Sequence, residues 1–212
     1  MSVTLRFDGI IQAKNRTIML VGAGATGSWF AAMAAKQGYD IIAIDDDKLM
    51  IHNIGTSIYN DPADIGKYKV EVLQKMIGSN VIAIPEKFSK KHLDEWGEYV
   101  DLIVSAVDNM EARKQIADAA EEYFKPLIDM RVHYPYAMIY VVEGRPSAVR
   151  KFRETLYSDD EAWEGECTRQ NTPFLAAMAA SIALKYASFQ IRGYAVAALD
   201  VEKMMMTEAR EE

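Results

Sequence analysis

The sequence predicts an α/β fold, in which a mostly parallel β-sheet carries helices on both faces. Short apolar runs of strand length alternate with helical patterns over residues 17–130. Strands that alternate with helices form parallel sheets, and continuous apolar runs are typical of strands buried on both faces. The chain has 212 residues, half of them hydrophobic. This size and composition favour one domain over 1–212, with its core at 17–130.

The first strand and helix are joined by a glycine-rich turn. We expect a strand over Thr17–Val21 and a helix from about Trp29 to Lys36, with Gly22, Gly24 and Gly27 between them. In such a unit the first glycine permits the tight turn, the second lets the backbone approach a ligand, and the third allows close helix packing. Free N–H groups and the positive helix end favour a phosphate there. The turn therefore predicts a Rossmann-like, nucleotide-binding fold.

The second predicted strand, Asp40–Ile44, ends in three acids, Asp45, Asp46 and Asp47. Asp45 follows Gly24 by 21 residues. An acid at this point of a dinucleotide-binding fold holds the ribose hydroxyls. Asp45 is therefore the candidate ribose ligand, and a solvated strand end is the alternative.

The remaining core elements bring further polar residues to the same edge of the sheet. Ligands of parallel sheets bind beyond the carboxyl ends of the strands, and Asp108 follows one such strand. The alternative for Asp108 is the N-cap of the next helix, because Asp and Asn are favoured caps. The predicted elements are an amphipathic helix ending near Ile77, strand 81–85, helix 92–96, strand 102–106, helix 110–123 and strand 126–130.

The pattern changes beyond residue 130. A strand is predicted at 138–143, and the charged segment 146–172 reads as an irregular crossing loop. Pro173 suits the first turn of a late helix that runs to about Ile191. Strands 194–199 and 203–207 would close the chain as a hairpin, and residues 208–212 read as a frayed tail.

Composition excludes several classes of function. The net charge of −7 argues against a broad nucleic-acid surface. The single cysteine, Cys167, leaves no internal disulfide and no Cys-x-x-Cys zinc clamp. The N-terminus lacks the apolar run of a secretory signal, and no apolar segment has a comfortable membrane-spanning length. We expect a cytoplasmic protein without nucleic-acid or membrane partners.

Four motifs now stand in order along the chain. They are the glycine turn with Ser28, the acids 45–47 followed by Asn53, the segment Asp64-Ile65-Gly66-Lys67-Tyr68-Lys69, and Asp108-Asn109 with Arg113. Over about residues 17–130 this series resembles the ThiF/MoeB/HesA family, the bacterial relatives of the ubiquitin-activating enzymes. The last eighty residues resemble it only loosely. Four ordered motifs are more specific than any one of them.

The resemblance implies ATP-dependent adenylylation of the C-terminal carboxylate of a small ubiquitin-fold or sulfur-carrier protein, by a homodimer that uses Mg²⁺. It places Lys69 on the phosphates, where charge builds in the transition state, and Asp108 on the metal. The alternative for Lys69 is a solvated helix face. The other implied nucleotide contacts are Gly22, Gly24, Ala25, Gly27, Asp45, Asn53 (to a phosphate oxygen, or orienting its loop) and Asn109.

The chain departs from the family pattern at Thr56, where the family usually has an arginine. Losing an arginine beside a transferring phosphate costs several orders of magnitude in rate. Either Lys67, Arg113 or Arg131 compensates, or the chain binds nucleotide with reduced or no catalysis.

Cys167-Thr168 resembles the Cys-Thr of ubiquitin-activating enzymes, whose thiolate takes the activated carboxylate as a thioester; the alternative is a spectator cysteine. A different alternative for the whole chain is an NAD-dependent oxidoreductase that uses the same glycine turn. Such an enzyme has no need of Lys69 and Asp108.

Overall fold

The computed structural model describes residues 16–157 and 173–211 and contains eight strands in one sheet. The strands are β1 (Thr17–Val21), β2 (Asp40–Ile44), β3 (Val81–Ile84), β4 (Val100–Ser105), β5 (Leu127–His133), β6 (Tyr136–Val142), β7 (Tyr194–Asp200) and β8 (Met205–Glu211). The α-helices are α1 (Ala25–Lys36), α2 (Ile51–Ile54), α3 (Lys69–Ile77), α4 (Lys91–Trp96), α5 (Met110–Glu122), α6 (Pro146–Arg153) and α7 (Pro173–Ala187).

The sheet has a parallel half and an antiparallel half. Its order is β3-β2-β1-β4-β5-β6-β7-β8. Strands β3 to β5 in this order pair in parallel, and β5-β6, β6-β7 and β7-β8 pair antiparallel. The predicted α/β fold with a mostly parallel core and later antiparallel strands is confirmed.

Helices cover both faces of the sheet, as the uninterrupted apolar strands predict. Side chains alternate along a strand, so Ile18 and Leu20 of β1 pack towards α1, α3 and α7. Met19 and Val21 face the other way and pack towards α4, α5 and α6. Because β1 is central and buried on both faces, its carboxyl end lies in the middle of one sheet edge, where the glycine turn follows it.

Three segments, besides the start of α1, differ clearly from their predictions. Residues 146–153 form helix α6 rather than a loop, because Ala148, Val149 and Phe152 pack against the sheet while the charges face outward. Residues 208–211 of the predicted frayed tail belong to β8, which pairs with β7 through Glu211. Helix α7 ends at Ala187 rather than near Ile191. Arg16 Nη1 and the Tyr39 hydroxyl donate to the Ala187 carbonyl at 2.9 and 3.0 Å and satisfy the end of the helix.

Within residues 16–157 and 173–211, none of the helices combines the length and the apolar character needed to cross a bilayer.

Candidate functional site

The three glycines of the turn are required for different reasons. Gly22 has φ +92°, and a Cβ there would lie 2.7 Å from the Ala106 carbonyl oxygen. A Cβ at Gly27 would lie 2.0 Å from the Gly22 carbonyl oxygen. A Cβ at Gly24 would have no protein atom within 4 Å. Packing therefore requires Gly22 and Gly27, whereas Gly24 borders open space that a ligand can enter.

The helix that follows the turn presents its positive end to this space. Helix α1 begins at Ala25, four residues earlier than predicted, because the turn leads directly into the first helical residue. No side chain caps its N-terminus, and its first turn contains no acid. The N–H groups at the start of this 12-residue helix can therefore receive an anion.

Asp45 lies against the glycine turn. One of its carboxylate oxygens accepts from the Ala23 N–H at 2.6 Å, and the other accepts from the Asp47 N–H at 2.8 Å. Burial raises the pKa of the Asp45 carboxyl, although the nearby Lys69 charge and the two backbone hydrogen bonds oppose the rise. Each carboxylate oxygen has a second lone pair, so Asp45 can also accept from ribose hydroxyls.

Lys69 lies beside Asp45 at the same sheet edge. The residue is buried, so the alternative of a solvated helix face is wrong. Its Nζ lies 2.6 Å from Asp47 Oδ2, and its backbone N–H donates to the Asp47 carbonyl at 3.0 Å. The structure thus brings the third motif against the second, with a lysine ammonium at the end of β2.

Tyr59 joins this group, and the sequence analysis missed it. The residue is 1% exposed, and its hydroxyl contacts the carbonyl oxygens of Ala23 at 2.6 Å and Lys69 at 3.2 Å. The one signal in the sequence is the apolar pair Ile58-Tyr59 within a mostly polar loop. Neither the burial of Tyr59 nor its two hydrogen-bond acceptors can be predicted from that signal.

The fourth motif reaches the turn through the end of β4. The Ala106 N–H donates to the Val21 carbonyl at 2.8 Å, and Ala106 abuts Gly22. Asp108 follows two residues later and is exposed. The N-cap of α5 is Asn109, whose Oδ1 accepts from the Ala112 N–H at 2.8 Å. The capping alternative for Asp108 is therefore wrong, and Asn109 has a structural task.

Asn53 orients its own loop in this structure. Its Oδ1 accepts from the Met50 N–H at 2.8 Å, and its carbonyl accepts from Ser57 Oγ at 2.6 Å. The same loop is tied to α1, because Trp29 Nε1 donates to the Thr56 carbonyl at 3.1 Å. Of the two roles considered for Asn53, these contacts favour the orienting one.

The cations considered as substitutes for the missing arginine are held by acids. Lys67 Nζ lies 2.7 Å from Asp64 Oδ1, and this contact and one from Lys75 lower the pKa of Asp64. Arg113 and Arg131 both bind Asp129, at 3.2 and 2.7 Å. In this geometry each of the three substitutes already has an anionic partner.

Asp129 is a second residue that the sequence analysis missed. Its carboxylate is fully buried and also accepts from Ser105 Oγ at 2.6 Å. Arg113 additionally donates to the Val107 carbonyl, immediately before Asp108. Arg131 additionally donates to the Thr155 carbonyl and hydroxyl, at 3.0 and 2.9 Å. The buried Asp129 therefore supports the segment that carries Asp108.

Two predicted features of the site remain, a carboxylate ligand for Mg²⁺ and a nucleophilic cysteine. Mg²⁺ is commonly held by one or two carboxylates, with phosphates and water as the other ligands. The exposed Asp108 fits that pattern. In the described part of the chain, Asp45, Asp46 and Asp47 form an acid group with oxygens within 4.8 Å of one another, but Lys69 already contacts Asp47. Cys167 lies outside the described residues.

An α/β sheet with a glycine turn, a strand-end acid and a buried lysine at one edge defines the class of doubly wound, nucleotide-binding folds. The sequence profile of the ThiF family matches residues 3–203. The chain therefore belongs to the ThiF family.

Known proteins with related sequences or folds are consistent with this membership. The chain is 25% identical to a sulfur carrier protein adenylyltransferase of Thermus thermophilus, over 65% of this chain and 51% of that protein. It is 28% identical to tRNA threonylcarbamoyladenosine dehydratase 1 of Saccharomyces cerevisiae, over 53% of this chain and 29% of that protein. The chain thus spans about half or less of these relatives. Its fold matches E. coli MccB, crystallised with ATP, with a TM-score of 0.70 and 15% identity over 95% of this chain and 66% of MccB.

Proposed function

We propose that this protein uses ATP to adenylylate a carboxylate, and that the acceptor is the C-terminus of a small ubiquitin-fold or sulfur-carrier protein. In this reaction a carboxylate oxygen bonds to the α-phosphorus of ATP. The bond from that phosphorus to the bridging oxygen breaks, and pyrophosphate leaves.

The observation that carries the proposal is a chain of hydrogen bonds between motifs far apart in sequence. Ala23 of the glycine turn donates to Asp45, the Asp47 N–H donates to Asp45, and Lys69 donates twice to Asp47. A loop that suits phosphate, an acid that suits ribose and a cation thus adjoin one another. A dehydrogenase would need the first two but not the lysine, so this grouping favours ATP over NAD.

Each of these residues has a defined task in the proposed reaction. The start of α1 and Gly24 would receive the phosphates, and Asp45 would accept from the ribose hydroxyls. Lys69 would stabilise the charge that builds on the leaving pyrophosphate. Asp108 would hold Mg²⁺, which when bound screens the phosphate oxygens from the incoming carboxylate.

The class of acceptor is supported by the relatives, whose names point in two directions. One is named as an adenylyltransferase of a sulfur carrier protein, and another as a dehydratase of a modified nucleoside in tRNA. The net charge of −7 favours a protein acceptor, because tRNA binding relies on cationic surface. A homodimer remains our expectation from the family resemblance.

The proposal is tested by ATP–pyrophosphate exchange. Purified protein, ATP and Mg²⁺ are incubated with labelled pyrophosphate and candidate carriers ending in Gly-Gly. Exchange that requires a carrier with a free C-terminal carboxylate is the expected result, and the same carrier with an amidated C-terminus is the control. A parallel arm contains tRNA that carries threonylcarbamoyladenosine. Exchange in that arm alone would replace the protein acceptor with a nucleoside, and exchange in neither arm would contradict adenylylation.

A second candidate function, nucleotide binding without efficient turnover, is favoured by Thr56. The arginine usual at this position is missing, and Lys67, Arg113 and Arg131 are paired with acids. If this candidate is correct, the native protein binds ATP–Mg²⁺ without exchange, and Thr56→Arg gains exchange activity. A thermal-shift comparison of ATP–Mg²⁺ with NAD separates both candidates from an oxidoreductase, because a ligand that binds only the folded state stabilises it.

A further inference from the structure

The hydroxyl of Tyr59 occupies an unusual position for a buried phenol, because it contacts two backbone carbonyls from separate segments. Ala23 belongs to the glycine turn and Lys69 begins α3, 46 residues later. The hydroxyl lies 2.6 Å from the first carbonyl oxygen and 3.2 Å from the second. A phenol has one proton to donate, so the two carbonyls share it and their separation is set by one oxygen atom.

The environment keeps this hydroxyl protonated and its ring in place. The ring belongs to the hydrophobic core beneath the turn. Burial raises the pKa of the Tyr59 hydroxyl, and the nearby Asp45 carboxylate adds to the rise. The group is therefore a hydrogen-bond donor throughout the physiological pH range, and the surrounding core leaves its ring little freedom to move.

The contact completes a closed ring of interactions. On one side, the Ala23 N–H binds Asp45, the Asp47 N–H binds Asp45, and the Lys69 N–H binds the Asp47 carbonyl. On the other side, Tyr59 links the Ala23 carbonyl directly to the Lys69 carbonyl. Both backbone polar groups of Ala23 are thus fixed relative to Lys69.

We propose that Tyr59 is a positioning residue that sets the distance between the glycine turn and Lys69, so that one set of phosphates meets both. The inference deepens the proposed function and rests on it. Tyr59 itself touches no nucleotide and acts through two carbonyl groups. A lysine displaced by about 1 Å from its phosphate stabilises the phosphate charge much less, because a misplacement of this size lowers reaction rates by up to about 100-fold.

The test compares Tyr59→Phe with a matched control, Tyr39→Phe. Tyr39 is also 1% exposed and its hydroxyl also donates to a backbone carbonyl, that of Ala187 at 3.0 Å. Tyr39 precedes β2 and so lies at the opposite edge of the sheet from the glycine turn. Tyr59→Phe removes a hydroxyl proton that two carbonyls share, and Tyr39→Phe removes one that a single carbonyl accepts. Each variant is expected to lower Tm by about 2–4 °C. Comparing the two variants therefore separates an effect on the position of Lys69 from a general loss of stability.

Binding is measured by calorimetry with ATP–Mg²⁺ and with adenosine. Tyr59→Phe is expected to weaken ATP binding about tenfold and to leave adenosine binding unchanged, because only the phosphates depend on Lys69. Tyr39→Phe is expected to change neither. Equal ATP affinities for the two variants would overturn the inference. A wild-type protein that binds no ATP would overturn the proposed function and with it the assignment of Tyr59 to phosphate positioning.

Hydrogen exchange of the free protein tests the mechanical part without nucleotide. Tyr59→Phe is expected to accelerate amide exchange in peptides covering residues 21–28 and 66–72, because both segments lose a shared anchor. Tyr39→Phe is expected to accelerate exchange near residue 187 instead. Unchanged amide exchange in the glycine turn of Tyr59→Phe would overturn the inference even where ATP binding is weakened.

Discussion

Gly24→Ala is the substitution that most directly tests where the nucleotide lies. The added methyl group would have no protein atom within 4 Å, and the φ of Gly24, −73°, lies outside the left-handed region that favours glycine. The space that the methyl enters is the space we assign to the phosphates. The variant is therefore expected to fold normally and to bind ATP poorly.

The expected loss of stability and the expected loss of ATP affinity differ in magnitude. Gly24 is the N-cap of α1, where alanine is a poorer cap by up to about 1 kcal/mol, or about 2–4 °C in Tm. A methyl group forced against a bound phosphate costs about 1–3 kcal/mol in the complex. At about 1.4 kcal/mol per tenfold change, ATP affinity falls roughly 5- to 150-fold.

Gly27→Ala is the matched control in the same turn. Its Cβ would lie 2.0 Å from the Gly22 carbonyl oxygen, a backbone atom that cannot rotate away. We expect a loss of about 3 kcal/mol or more, near the upper end of overpacking penalties. Thermal unfolding of the free proteins and ATP titration of each would show the contrast. Wild-type ATP affinity in Gly24→Ala would refute the location of the nucleotide, and a Tm as low as that of Gly27→Ala would refute the open space.

Three further predictions concern charged residues of the site. Lys69→Gln is expected to weaken ATP binding and to reduce ATP–pyrophosphate exchange at saturating ATP about 10²- to 10³-fold, because the lysine contacts the phosphates and also stabilises transition-state charge; a loss confined to ATP affinity would contradict the second effect. Asp129→Asn is expected to lower the free energy of unfolding in urea by about 3–5 kcal/mol, because two guanidinium groups lose a buried partner; an unchanged urea midpoint would remove that role. Burial raises the pKa of Asp45 above its usual 3.8, so ATP affinity should begin to fall at a pH above 3.8 on acidification. In the same pH range the folded protein without ATP binds more protons than the unfolded chain. The contribution of Asp45 to the free energy of unfolding therefore increases as the pH falls. Measurements of ATP affinity and of the free energy of unfolding at several pH values should find both of these pH dependences absent in Asp45→Asn.

The parallel core was predictable because its signals are local. The bounds of β1 and β2 coincide with the predicted strands, since each is a five-residue run that ends abruptly at glycine or aspartate. The glycine turn predicts the candidate functional edge from equally local signals, because a turn, a strand end and a helix start adjoin in sequence. From these, the grouping of Asp45 with the turn follows from the geometry of parallel sheets.

Other features depend on partners distant in sequence. Every residue of strand β8 is exposed, so its sequence lacks the alternation of apolar and polar residues by which a strand is predicted. The strand is formed by its pairing with β7. Helix α6 has only three buried residues beside three basic ones in its eight positions. The hydroxyl of Tyr59 has its partners 10 and 36 residues away. The carboxylate of Asp129 binds Ser105 and Arg113, 24 and 16 residues away, besides the nearby Arg131. No local pattern marks such contacts.

The missing arginine raises the question of which groups carry positive charge to the phosphates. Among the described candidates, Arg113 and Arg131 share the buried Asp129, and breaking a buried pair is costly. Lys69 differs, because its partner Asp47 has a side chain that is 68% exposed. Asp47 can turn into solvent when it is released, whereas Asp129 would be left as a buried unpaired charge, so Lys69 can exchange its partner for a phosphate at less cost than Arg113 or Arg131. In the proposed reaction, the positive charge at the phosphates should therefore come from Lys69 and the start of α1. This is the reason that the spacing set by Tyr59 matters more here than in a protein with an additional arginine.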